Sequence, residues 1–192
     1  MNKLLSLLLA VPMFAFANIT HETGVASDYV WRGVTQTQNG PSWYHTSSAW
    51  MDNGLYAGVF VGNVEFNDET DVEMDLFVGW YKQLGWLGVN LSYFKYDYMD
   101  KTLPSFEETR VGVDFWKVDM NWFKDMDTDA EYLEMGFNLW DGGTWGVDVM
   151  HMSDTMDMDM YGAKVEWMMS NKMKVNLTVY EDEQLVGLAY VW

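Results

Sequence analysis

Apolar and polar side chains alternate with a period of two along much of this chain. Val72, Met74, Leu76, Val78 and Trp80 are interleaved with Glu73, Asp75, Phe77 and Gly79. Thr109, Val111, Val113 and Phe115 alternate with Glu108, Arg110, Gly112 and Asp114. The same holds for Leu133, Met135, Phe137 and Leu139 against Glu134, Gly136 and Asn138, and for Val175, Leu177 and Val179 against Lys174, Asn176 and Thr178. Each run predicts a strand with one apolar face and one polar or small face. Turn residues punctuate the runs. Met51-Asp52-Asn53-Gly54 and Asp141-Gly142-Gly143 are strong hairpin signals, with weaker ones at 82–85, 116–117 and 170–172. Asn39-Gly40-Pro41 and polar stretches near 67–69, 97–104, 125–129, 153–159 and 181–183 fill the alternate positions. Eleven connections imply about twelve strands, with ten as the lower alternative. The stretch holding Asp28 and Arg32 reads as the first strand, its Tyr29 and Trp31 on the apolar, outward face.

The connections sort by charge. The odd-numbered ones (67–71, 97–104, 125–129, 153–159, 181–184) hold fourteen Asp or Glu and one Lys; the even-numbered ones (51–54, 81–85, 116–118, 140–144, 170–173) hold two Asp and three Lys. Tryptophan sorts the other way: Trp50, Trp80, Trp86, Trp116, Trp140, Trp145, Trp167 and Trp192 fall at the even ends. An indole ring is at home where apolar surface meets headgroups, so this distribution predicts an aromatic girdle. Transmembrane strands of about 9–11 residues, twelve times over, fit the available length. The fold class is therefore all-β: a closed antiparallel transmembrane β-barrel of about twelve strands. A soluble barrel of that size would enclose more space than side chains fill.

Lys3, the apolar run Leu4–Phe14 and Ala15-Phe16-Ala17 form a signal peptide pattern, cleaved after Ala17. Residues 1–17 are then the signal peptide and 18–192 the barrel domain. Removing them takes Lys3 away and moves the formal charge from −18 to −19, with no cysteine in the chain. Phosphate recognition needs a basic face, so nucleic acid is not a partner. No later apolar run reaches the roughly 18 residues a membrane helix requires. The final strand, 185–192, carries Gly187, Tyr190 and Trp192. It is similar to the assembly signal through which outer-membrane barrels engage the barrel-assembly machinery.

Ser27-Asp28-Tyr29-Val30-Trp31-Arg32-Gly33-Val34-Thr35-Gln36-Thr37, followed by Gly54-Leu55-Tyr56-Ala57-Gly58 and Glu73-Met74-Asp75-Leu76-Phe77-Val78-Gly79-Trp80, resembles a family of Gram-negative exported proteins. This is the Gcw-type, TorF-like porin family of outer-membrane β-barrels. Residues 42–48 depart from its Gly-rich second strand. The resemblance implies a barrel and a porin label and names no substrate.

Alternation assigns Asp28, Arg32, Glu73, Asp75, Glu108, Arg110, Asp114, Asp119, Glu134, Asp148, Lys164, Glu166 and Lys174 to the lumen. Asp28 and Arg32 lie about 13 Å apart along a strand, so each needs a cross-strand partner: Arg110 for Asp28, and Glu73 or Asp75 for Arg32. The acid excess favours cations if water passes. The function this supports is a passive porin-like channel for small solutes or ions with a weak cation preference, no enzyme and no cofactor. Short connections leave no long segment to constrict the pore. The alternative is a non-conducting barrel whose interior charges satisfy one another and whose acidic outer loops bind divalent cations beside lipopolysaccharide phosphates. Two smaller motifs point elsewhere. His151 with Met150, Met152, Met158 and Met160 offers soft ligands of the kind Cu(I) prefers. His45-Thr46-Ser47 places an imidazole and a hydroxyl on one strand face, as a serine hydrolase would. Intact-mass spectrometry of the chain recovered from outer membranes is expected to give a polypeptide starting at Asn18; a mass that includes residues 1–17 would refute processing there.

Overall fold

The structure is a computed structural model that describes residues 18–66, 69–100, 103–154, 159–181 and 184–191. The signal segment 1–17, Met158 and Trp192 lie outside the described residues. Twelve strands form the wall: β1 (Asn18–Ala26), β4 (Ser42–Trp50), β5 (Leu55–Phe66), β6 (Glu69–Leu84), β7 (Leu87–Tyr98), β8 (Phe106–Phe115), β9 (Val118–Asp125), β10 (Glu131–Asp141), β11 (Trp145–Asp154), β12 (Asp159–Met168), β13 (Met173–Tyr180) and β14 (Gln184–Val191). Each pairs antiparallel with its neighbours, and β1 closes the ring by pairing β14 from Glu22↔Val191 to Ala26↔Gly187. No helix occurs among the described residues.

The period-two pattern decides what each wall sees. Leu76, Val78, Leu91, Val111, Val149, Leu177 and Leu188 are exposed on the outside, while Glu73, Asp75, Ser92, Glu108 and Thr178 from the same strands are buried. A core of the soluble kind is replaced by an enclosed polar and aromatic interior. Trp86, Trp116, Trp140, Trp145 and Trp167 stand exposed at the even end, Trp145 stacked on Trp167 at 5.3 Å. Trp50 is exposed as well, but on the inward-facing side of β4, where it stacks on the buried Tyr56 at 4.3 Å.

The remaining two strands are not part of the wall. β2 (Val30–Trp31) and β3 (Val34–Thr35) pair only with each other, as a hairpin within the first connection, 27–41. This corrects the sequence reading of the first strand. The true first strand is 18–26, and Asp28 to Arg32 belong to a segment that folds back into the barrel. The reason is local. Arg32 (φ 50) and Gly33 (φ 75) both take positive φ, the two-residue turn whose twist matches a tight hairpin. A Cβ on Gly33 would also collide with the Met160 thioether. Asp28 Oδ1 accepts hydrogen bonds from the Thr35 and Thr37 hydroxyls, each at 2.7 Å, and the Gln36 N–H donates to the Tyr29 carbonyl at 2.6 Å. Two further bonds tie the segment to the wall: Ser27 N–H to Val186 O (2.9 Å) and Glu65 N–H to Gln36 O (2.7 Å).

The even-end turn at Gly54 gives a direct test of the hairpin register. Its φ is +92, and a Cβ there would lie 2.0 Å from the Tyr81 carbonyl oxygen. Gly54→Ala is expected to cost roughly 1–3 kcal/mol, read as a lower urea midpoint of the refolded barrel in detergent.

Candidate functional site

The hairpin reaches the interior faces of β5, β7, β8, β9, β10 and β12. Trp31 lies against Tyr96 of β7 and Phe106 of β8, with ring centroids 5.9 and 6.0 Å away. Tyr29 meets Phe60 of β5 at 5.8 Å. Neither Tyr29 nor Trp31 faces outward, contrary to the sequence reading. Burial, with the carboxylates of Glu73 and Asp75 nearby, holds the Tyr29 phenol well above its ordinary pKa.

Arg32 is the centre of the arrangement. Its two terminal nitrogens grip the two Glu108 oxygens, each at 2.7 Å, in a bidentate pair with side chains 12% and 3% exposed. Its guanidinium lies 4.1 Å from the Trp31 ring centroid, 4.1 Å from that of Tyr132 and 4.8 Å from that of Phe123. Planar, delocalised and weakly hydrated, a guanidinium tolerates this sandwich where an ammonium would not. Phe123, Tyr132 and Met152 form the buried apolar cluster under the tip, with Phe94, Met150, Met160 and Tyr180 against it.

The other lumen-assigned side chains also face the interior, Asp28 from the inserted segment and the rest from the wall, and the partners of Asp28 and Arg32 differ from those expected. Asp28 is held by Thr35 and Thr37 instead of Arg110, and Arg32 by Glu108 instead of Glu73 or Asp75. Arg110 donates to Ser92 Oγ (2.9 Å) and Tyr56 Oη (3.0 Å). Lys174 pairs with Glu22 at 2.9 Å, an interior acid that alternation from residue 28 missed. Lys164 stands between Asp148 (3.7 Å) and Glu166 (3.9 Å), and Asn138 donates to Asp148 at 2.9 Å. Glu73 accepts a long bond from Tyr98 (3.3 Å) and lies beside the Tyr29 phenol, while its Oε2 and Asp75 Oδ1 have no hydrogen-bond partner among the described residues. Asp114 and Asp119 face each other across β8 and β9 toward the even mouth, and Glu134 lines the space beneath the tip. Every interior base named here is therefore engaged, and acids are left over.

The tip divides the lumen. On the odd side lies a cavity of about 460 Å³ walled by Trp31, Phe106, Tyr132 and Asp154 among others. On the even side lies one of about 370 Å³ walled by Glu134, Asp148, Met150 and Lys164, with Trp31 and Arg32 shared by both. The long constricting segment that the short connections argued against is present, supplied by the first connection.

The two smaller motifs resolve by strand parity. Met150, Met152 and Met160 face inward, whereas His151 faces outward onto Tyr161 and Asp159, so among the described residues no thioether–imidazole set converges. His45 Nε2 does contact Ser47 Oγ at 2.8 Å, but on the outer wall. Thr23 Oγ1 and His21 Nδ1 complete that group, 2.8 Å from His45 Nδ1 and Ser47 Oγ respectively. Among the described residues no three His, Cys, Asp or Glu are placed to hold a metal ion.

Residues 14–136 match the family model described as "Bacterial protein of unknown function (Gcw_chp)". The chain belongs to this family. No curated protein matches it in sequence. Among solved structures, the KdgM porin superposes with a TM-score of 0.66 at 7% identity, covering 90% of this chain and 98% of that one. The same porin described in complex with disordered oligogalacturonate gives 0.62 at 6%, over 91% and 97%. The Acinetobacter baumannii outer membrane protein Omp33 gives 0.54 at 10%, covering 92% and 98%. The family member therefore has the fold of these outer-membrane barrels.

The Arg32–Glu108 pair yields a stability prediction. Arg32→Ala strands a buried carboxylate and is expected to cost about 3–5 kcal/mol. Arg32→Met with Glu108→Leu removes both charges and is expected to recover most of that loss, measured by urea titration. Equal loss in the single and double variants would show that the pair is not what holds the tip.

Proposed function

We propose that the protein is a passive, cation-preferring channel of the outer membrane, narrowed at the level of Trp31 and Arg32. The observation that carries this is a lumen with a cavity on each side of the hairpin tip and an unneutralised acid excess along its wall. Arg32, Lys164 and Lys174 are each matched by carboxylates and Arg110 is bonded to Ser92 and Tyr56, while Glu73, Asp75, Asp114, Asp119 and Glu134 are further interior acids, so acids outnumber bases on the described inner face. A low-dielectric wall focuses such a field and raises the local cation concentration. The structurally similar KdgM porin is described with an oligogalacturonate, whose repeated carboxylates this interior would repel. The exposed apolar outer face suits acyl chains, and the acidic odd end faces the lipopolysaccharide side. The closing strand, 185–192 in the sequence, is the segment offered to the barrel-assembly machinery.

The filled space around Arg32 favours one rival, a non-conducting barrel. Planar-bilayer recording separates the two. Single-channel steps are expected, with a reversal potential in a KCl gradient that reports cation preference. Trp31→Ala is expected to enlarge each step by removing the largest side chain shared by both cavities. Silence from a demonstrably folded wild-type barrel and from the Trp31 variant would overturn the channel reading.

A further inference from the structure

The odd-side cavity has a chemistry of its own. Trp31, Tyr98, Phe106 and Tyr132 supply aromatic surface, and Asp125 and Asp154 supply carboxylates at its edge, with Asp125 Oδ1 also accepting from the Asp127 and Thr128 N–H groups. Both acids lie at the ends of strands whose alternation turns them inward, opposite Glu108 and Tyr132 respectively. Among the described lining residues Arg32 is the one base, and Glu108 matches it, with Asp125 and Asp154 as additional carboxylates. Tyr132 is 5% exposed, and its hydroxyl has no hydrogen-bond partner among the described residues. A buried hydroxyl in that state is costly unless a guest supplies the missing bond. The protein also shows what these rings accept, because the Arg32 guanidinium already lies against Trp31 and Tyr132.

We infer that this vestibule is a binding site for small organic cations with a flat, delocalised head, of the guanidinium or amidinium type. Aromatic faces attract such a cation through the ring quadrupole, and a carboxylate fixes its orientation through paired N–H donors. A concave, partly open cavity with a few converging polar groups is the usual form of a small-molecule site. The inference deepens the channel reading by naming the solute class and rests on that reading for its purpose. Binding and conduction are nonetheless measured separately.

The test is isothermal titration calorimetry of the full-length barrel in detergent micelles, with benzamidinium as the probe and benzoate and benzyl alcohol as isosteric controls. Saturable binding of benzamidinium is expected, with no detectable binding of benzoate. Asp125→Asn with Asp154→Asn is expected to weaken it about tenfold, and Tyr132→Phe to weaken it several-fold while leaving the ring in place. The controls use the unaltered protein, so the outcome does not hang on how a variant folds. Benzamidinium binding no tighter than benzyl alcohol, or an affinity untouched by the paired Asn substitutions, overturns the inference. A barrel that binds the probe but passes no current removes the channel reading alone; one that conducts without binding it removes the vestibule alone.

Discussion

Closure of the backbone hydrogen-bond ring is the constraint on which the rest of this structure depends. In hydrocarbon an unmet N–H or C=O has no water to turn to, and an open sheet edge is a row of such groups. The pairing of β1 with both β4 and β14 leaves no edge. Once the ring is shut, every strand has one face toward its surroundings and one toward an enclosed space. The period-two pattern then has a unique solution, because shifting any strand by one residue would exchange Leu76 and Val78 for Glu73 and Asp75.

A twelve-stranded ring encloses more volume than its own side chains fill. Here the surplus is met by backbone. The 27–41 segment brings Tyr29, Trp31 and Arg32 into contact with β5, β7 and β8 and makes a packed layer of rings around one guanidinium. The Glu108 carboxylate answers the Arg32 charge at close range, and the aromatic faces compensate its lost hydration. Of the other described interior bases, Lys164 and Lys174 sit beside carboxylates, while Arg110 is bonded to Ser92 and Tyr56.

Most of the wall was legible in the sequence because alternation survives wherever one face is apolar. The turns at 51–54, 116–117, 141–143 and 170–172 and the count of twelve follow from it. The beginning was misread for two physical reasons. β1 carries His21 and Thr23 on its outer face, where the pattern calls for apolar residues, so it did not register as a strand. The inserted segment does alternate, since a hairpin packed between aromatic walls obeys the same geometry as a barrel strand. Its signal was the Arg32-Gly33 pair with Thr35 and Thr37 placed to donate their hydroxyls to Asp28. Lumen residues were legible from parity alone, but their partners were not. Pairing depends on which strands lie across the lumen, and a one-dimensional period holds no such information.

Both ends of the inserted segment are strands of the wall, and this fixes the order in which the molecule can be built. The surfaces that receive Trp31 and Arg32 come from β7 to β10, all synthesised after the segment itself, and β1 must wait for the last strand, β14, before it has two neighbours. The tip cannot find its seat until most of the sheet has curled around it, and the seam shuts last. Seating the plug and sealing the ring are thus both late steps, since each waits on strands far along the chain.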